Sequence, residues 1–283
     1  MIFSMRSILY YLLVSVSFLQ IPNTLYAQPD IAKLDDWLEK NTPAMGGRSV
    51  LMVYKDGEII YSNSVNRMNR RQQWIARQFA KRMGKDASMD PFTIKSRQPI
   101  ASCSKWLSAA LVMTFVDDGS LSLSDTVGKF LPILSQHGKG HITIDQCLSH
   151  RTGIQSPPTE QELREMKTRG SNEEEIMRIA EMPMEGEPGE IFRYSNVGLQ
   201  ILGSVLEKIG GKGFEQLFVE RIAGPLRMPN TDFGHARTVI PAGGARSTPQ
   251  EYMHFLTMIL NKGTFEGRRI LSERSVEQMQ VDR

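Results

Sequence analysis

The sequence predicts an α/β (α+β) fold in which a helical domain stands beside an incomplete antiparallel sheet. Three observations predict it. A β-hairpin pattern lies near the N-terminus, a long series of helical segments follows, and strand signals are scarce after residue 62. The 283 residues are enough for one large or two ordinary domains. They divide into a leader (1–27), the N-terminal part of an α/β domain (28–100), a helical domain (101–235) and a return segment (236–283). Hydrophobic content of 40% and charged content of 23% are those of a globular chain, and a net charge of +3 points to no particular partner.

The leader carries one charge, Arg6, then the apolar run Ile8–Leu19, Pro22 and the small-residue site Leu25-Tyr26-Ala27. This is the pattern of a secretory signal peptide, with cleavage expected before Gln28 and a periplasmic or secreted product. The apolar run of about twelve residues is short against the roughly twenty that cross a bilayer. An exported chain meets no ATP pool and no genome, which argues against kinase and nucleic-acid roles. The two cysteines, Cys103 and Cys147, make no disulfide framework and read as two buried thiols.

Ile31–Glu39 reads as a short amphipathic helix capped by Asp30. Ser49–Tyr54 and Glu58–Ser62 read as hairpin strands, because Asp56-Gly57 supplies the turn between segments rich in β-formers. Residues 67–85 hold seven Lys or Arg and no acid, with Trp74, Ile75, Phe79 and Met83 near helical spacing. That is a basic helical insert. Its apolar side either covers the core or contacts an anionic envelope surface. Leu121–Leu134 reads as a connector and Thr143–Leu148 as a helix capped by Thr143. The polar stretch Gln155–Gly170 reads as a surface excursion. Further helices are expected at Asn172–Glu181, Val197–Ile209, Phe214–Ile222, Pro249–Leu260 and Ser272–Val281.

Ile100–Gly119 is the strongest helix and has an unusual start. Trp106, Leu107, Ala110, Leu111, Thr114 and Phe115 recur at helical spacing, and Gly119 follows as a C-terminal cap. Ser102 and Lys105 stand three apart, so they share one face. A cation in the first turn opposes the helix dipole. In one reading Ser102 caps the helix and Lys105 snorkels into water. In the other the pair is a nucleophile and its proton acceptor: dipole and desolvation disfavour the ammonium form, and a neutral amine takes the serine proton. A second candidate site is Tyr194-Ser195-Asn196, just ahead of an apolar helix. Tyr194 either packs or shares proton work beside a lysine. Asn196 either caps the helix or orients a lysine and a substrate amide.

Ser102-x-x-Lys105 and Tyr194-x-Asn196, with their surroundings, resemble the serine β-lactamase and penicillin-binding-protein superfamily. The class C β-lactamase-like branch, with its D-peptidases and esterases, is the most similar. The resemblance runs in family order from Val50–Tyr61 through Phe92–Lys105, Ile142–Ile154 and Glu187–Gly203 to Gly243–Phe255 and Ile270–Met279. It implies a β-lactamase/DD-peptidase-like fold and acyl transfer to water on a β-lactam, a D-amino-acid peptide or an ester, without a cofactor. It makes Ser102 the acylated nucleophile, Lys105 its activator, Tyr194 the base and Asn196 the substrate-binding residue. One departure stands out. The family's third motif, Lys-Thr-Gly or His-x-Gly, is not found after Asn196, and family members continue past the position of Arg283 with further strands. The expectation is therefore a poorly covered hairpin and a cleft open on one side. The competing reading is a catalytically impaired remnant or binding module. His150, in His150-Arg151-Thr152-Gly153, reads as a structural hydrogen-bonder. His137 and His141 lack a third ligand, which argues against zinc.

Overall fold

The computed structural model describes residues 31–82, 89–156, 170–234 and 238–282. Helix α1 (Ile31–Asn41) leads into a hairpin of β1 (Arg48–Lys55) and β2 (Glu58–Asn66). At its turn Asp56 and Gly57 take φ of 50° and 98°, the left-handed pair that matches the twist of the strands. The strands pair from Arg48 opposite Asn66 to Lys55 opposite Glu58. Among the described residues this sheet has two strands, and only Tyr61 and Val65 of its side chains are buried. The hairpin is thus as poorly covered as expected. Its tie to α1 is Asp35, which accepts hydrogen bonds from the Tyr61 hydroxyl at 2.6 Å and Asn63 at 2.7 Å. The Tyr61 bond, seconded by that from Asn63, holds the Asp35 carboxyl below its ordinary range. The Asp30 cap lies outside the described residues.

The basic insert is helical over α2 (Arg70–Arg82), but its faces are reversed relative to an apolar side that covers the core. Gln72, Gln73, Ala76 and Ala80 are half-buried. Trp74, Ile75 and Phe79 are 61%, 49% and 67% exposed. The Gln72 amide docks the helix by donating to the Pro43 carbonyl at 2.7 Å, while Gln73 Nε2 folds back to the Met68 carbonyl just ahead of the helix at 3.0 Å.

Strand β3 (Gln98–Pro99) and a 3₁₀ turn (Ala101–Cys103) precede α3 (Ser104–Asp117). The connector contains a 3₁₀ turn at Val127–Lys129 and the short α4 (Pro132–Gln136). Then come α5 (Ile144–Leu148), α6 (Asn172–Glu181) and α7 (Val197–Gly210). The stretch expected as one helix at Phe214–Ile222 divides into α8 (Phe214–Phe218) and a π turn (Val219–Ala223). Strand β4 (Arg246–Ser247), α9 (Pro249–Leu260), the pair β5 (Thr264–Phe265) and β6 (Arg268–Arg269), and α10 (Glu273–Gln278) complete the order. The last helix is shorter than expected because Ser272 caps it and Met279 ends it. Most of the excursion at 155–170 lies outside the described residues.

Thr143 and Ser171 close capping boxes with Gln146 and Glu174, and Thr248 accepts from the Glu251 amide. Each side chain satisfies a helix-start N–H that has no partner within the helix. Helices α3 and α7 meet at the centre of the core. Leu107, Leu111 and Phe115 face Ile201, Leu202 and Val205 in one cluster, with Phe233 set edge-on to Phe214 and Phe218 at 5.0 and 4.9 Å. Helix α3 is not amphipathic as its spacing suggested. Ser108, Val112 and Met113 are buried beside the expected stripe, so α3 is covered on nearly every side, as a central helix must be. The cysteines also differ from the expectation. Cys147 is buried and its thiol is pushed up by desolvation, whereas Cys103 is exposed at the helix start.

Candidate active site

Two turns and one return segment build the site. Ser102 sits in the 3₁₀ turn that opens α3, and its side chain is exposed. No side-chain cap bond is made at the start of that turn or of α3, so Ser102 is not a cap. The residue before it, Ala101, has φ of 46°. A left-handed alanine costs roughly 1 kcal/mol or more, which the surrounding contacts hold in place. Those contacts are the Ala101 carbonyl accepting from Ser104 Oγ at 2.5 Å and the Ile100 amide donating to the Ala245 carbonyl at 3.0 Å.

Lys105 does not snorkel. It is half-buried, and Nζ donates to Asn196 Oδ1 at 2.7 Å, to the Ala242 carbonyl at 2.8 Å and to Ser102 Oγ at 3.4 Å. None of these partners is a carboxylate. The same Nζ lies 4.9 Å from the ring centroid of Tyr194, within cation–π range. Asn196 occupies the N-cap position of α7 but makes no cap bond; its oxygen turns to the lysine. The structure thus brings Ser102, Lys105, Tyr194 and Asn196 together from two stretches about ninety residues apart in the chain.

Tyr194 is 55% exposed and is set by its neighbours. Its ring lies 4.7 Å from that of His150, which is also edge-on to Phe192 at 6.1 Å. His150 Nδ1 accepts from the Ser195 amide at 3.4 Å, and the His150 carbonyl accepts from the Arg193 amide at 2.8 Å. The side chain of Arg151 reaches the Gly189 carbonyl. The loop carrying Tyr194 is thereby docked on the end of α5. Burial, followed by the nearby Lys105 charge, lowers the His150 pKa from its ordinary value of 6.5. The imidazole is therefore held neutral, as an acceptor for the Ser195 amide requires.

Sequence reasoning missed the segment 241–245. Besides the Ala242 carbonyl, it supplies the Pro241 carbonyl to Ser108 Oγ at 2.7 Å and the Ala245 amide to Ser104 Oγ at 3.1 Å. Backbone acceptors have no residue-type signature, and only the start of the resemblance at Gly243–Phe255 marked the place. Also missed was Tyr252, whose hydroxyl donates to the Cys103 carbonyl at 3.2 Å and whose pKa is raised by burial. A cavity of about 600 Å³ between α4, α6 and α7 includes none of the four site residues. A pocket of about 280 Å³ lies beside them, lined by His150 and Phe192. Among the described residues no group of three or more His, Cys, Asp or Glu is placed to hold a metal.

The model of the β-lactamase family matches residues 38–282. The chain belongs to the β-lactamase family. A curated relative, protein Rv1367c of Mycobacterium tuberculosis (strain H37Rv), is 25% identical over 236 residues; the match covers 65% of this chain and 59% of the relative. The chain therefore spans less than two thirds of that relative's length. Among solved structures, a candidate β-lactamase from Bacteroides dorei DSM 17855 superposes with a TM-score of 0.72 at 26% identity, covering 89% of this chain and 71% of the other. The D-alanine carboxypeptidase AmpC of Burkholderia cenocepacia shares the fold, with a TM-score of 0.62 at 22% identity over 87% of this chain and 67% of the other. The resemblance read from Ser102-x-x-Lys105 and Tyr194-x-Asn196 is thus a family membership, and the fold is that of serine β-lactamases and penicillin-binding proteins.

Proposed function

We propose that this chain is an exported serine acyl hydrolase that forms an acyl-enzyme on Ser102 and hydrolyses an amide, a β-lactam or an ester. The observation that carries the reading is the set of partners around Lys105 Nζ. A neutral amine has two N–H donors and one lone pair. If Nζ gives up the proton it shares with Ser102 Oγ, 3.4 Å away, its other two N–H groups stay on Asn196 Oδ1 and the Ala242 carbonyl and a lone pair opens toward Oγ. The lysine then accepts the serine proton as Oγ attacks the substrate carbonyl carbon. A tetrahedral oxyanion forms, with the Ser102 amide at the helix start as one donor to it. Collapse expels the amine or alcohol, which takes up a proton through the Lys105–Tyr194 pair. Water enters by the reverse path, giving up its proton to the same pair, and releases the acid. The Tyr194 ring centroid lies 4.9 Å from Lys105 Nζ, and a turn of this exposed side chain on substrate binding would bring its hydroxyl into the relay. Asn196 fixes the lysine and offers its amide to the substrate. The leader at residues 1–27 supports export.

The test is an acylating probe, a fluorescent penicillin or an activated ester, read by intact mass. Wild type gains one acyl adduct, and Ser102→Ala gains none. Lys105→Met loses roughly 10³-fold or more in acylation rate. Equal labelling of wild type and Ser102→Ala would remove Ser102 as nucleophile. Reversible binding of the penicillin without an adduct would favour the binding module instead.

A further inference from the structure

We propose that the outward face of α2 is a docking surface for an anionic lipid bilayer. This surface is independent of the acyl-transfer chemistry. The inference comes from which way the helix faces. At about 100° per residue, the half-buried Gln72, Gln73, Ala76 and Ala80 fall in one arc of about 100°. Everything outside that arc points away from the fold. There the helix presents Trp74, Ile75 and Phe79, exposed by 61%, 49% and 67%, interleaved with Arg71, Arg77 and Lys81, and α2 carries no acid.

Water alone does not account for this arrangement. A helix that only needs solvation turns its polar side chains outward and its apolar ones toward the core. Here Gln72 anchors the helix to the Pro43 carbonyl, and the three bulkiest apolar side chains stand exposed among cations. That composition suits the boundary between headgroups and acyl chains. Tryptophan and phenylalanine enter the boundary, and arginine and lysine meet anionic headgroups. The charge complementarity selects an anionic lipid over an apolar protein groove, which would leave the cations unmatched. At 13 residues α2 is too short to cross a bilayer, so a bound α2 lies in the interface plane. Docking there brings the hairpin end of the molecule to the bilayer.

The chain has three tryptophans, and Trp106 is packed at 5.4 Å against Phe255, so a Trp37→Phe background lets emission report on Trp74. The full chain is mixed with vesicles of phosphatidylcholine containing half phosphatidylglycerol, with bromines on the acyl chains. The expected result is quenched Trp74 emission and binding at least about tenfold tighter than to pure phosphatidylcholine, weakening with salt. Replacing Arg71, Arg77 and Lys81 by Gln weakens binding roughly fivefold per charge. Trp74→Ser with Phe79→Ser weakens it about tenfold or more at unchanged melting temperature. Three results would overturn the proposal. The chain pellets with vesicles while Trp74 stays unquenched, so another segment holds it. The serine variant binds vesicles, or soluble poly-glutamate, as well as wild type, so charge alone acts. Wild type sediments as a dimer and the serine variant as a monomer, so the apolar stripe meets a second copy.

Discussion

Helices α2 and α3 are nearly equal in length, 13 and 14 residues, and each carries large apolar side chains at helical spacing. In α3, Leu107, Leu111 and Phe115 are shielded almost completely, and even Ser104 and Ser108 are buried and bonded. In α2 no described side chain is fully buried, and Trp74 and Phe79 are exposed. The difference shows what fixes the direction a helix faces. Helix α3 is surrounded by α7, α9 and the 241–245 segment. Helix α2 meets the Pro43–Gly47 turn, where the Pro43 carbonyl accepts from Gln72, and its residues are absent from the apolar core cluster. Ser102 stands at the start of the enclosed helix. Helix α2 is left to serve as a contact surface.

The sharpest way to break that contrast is to make the same truncation in both halves. Phe218→Ala removes a fully buried ring packed edge-on to Phe233 and costs about 3–5 kcal/mol. Phe79→Ala, on the outward face of α2, changes stability by less than about 0.5 kcal/mol. Denaturant melts of the two variants decide it, and equal losses would mean that α2 is covered in solution. Next in size is Gly198→Ala. A Cβ there would lie 2.3 Å from the Cys147 carbonyl oxygen, against backbone rather than a yielding side chain. Forcing α5 and α7 apart costs roughly 1–3 kcal/mol and, by shifting Asn196, lowers the acylation rate of any labelling probe. Thr143→Ala removes the capping box of α5 for about 1 kcal/mol, measurable as a lower melting temperature with Ser102 labelling retained.

The smallest effect is a pH dependence. His150 has a folded pKa below its ordinary 6.5, so the folded state binds its proton less readily than the unfolded chain. The His150 contribution to stability is therefore present above about pH 6.5 and declines as acid drops the pH through that value toward the folded pKa. Melting temperatures taken from pH 8 to pH 5 fall in wild type, and in His150→Asn that component of the fall is absent. An identical profile in the variant would show that the ring is not held neutral by its surroundings.

Much of the fold was legible because its signals are local. Thr143, Ser171 and Thr248 mark helix starts by chemistry that acts within three residues, and Asp56-Gly57 sets the hairpin turn the same way. The site was legible in part for the same reason: Ser102 and Lys105 are three apart and share a helix face. Besides the 241–245 segment and Tyr252, three features were not legible. The packing of α3 on every side depends on neighbours far along the chain, so its spacing suggested one stripe. The exposure of Cys103 follows from its place in a turn ahead of the helix proper. For α2, periodicity defines a stripe but cannot say which side of the helix the fold presents to solvent.

The segment 241–245 has a consequence in time as well as in space. It grips Ile100, Ser104, Lys105 and Ser108 through backbone groups about 133 to 145 residues away in sequence. Closing a loop that long is slow relative to forming the local turns, so these bonds form late in folding. A nascent chain that has reached only Asn196 already holds the serine and the lysine, but the lysine lacks one of its anchors. Reactivity at Ser102 would then rise only when the return segment docks, and the rate of probe labelling during refolding would time that last step.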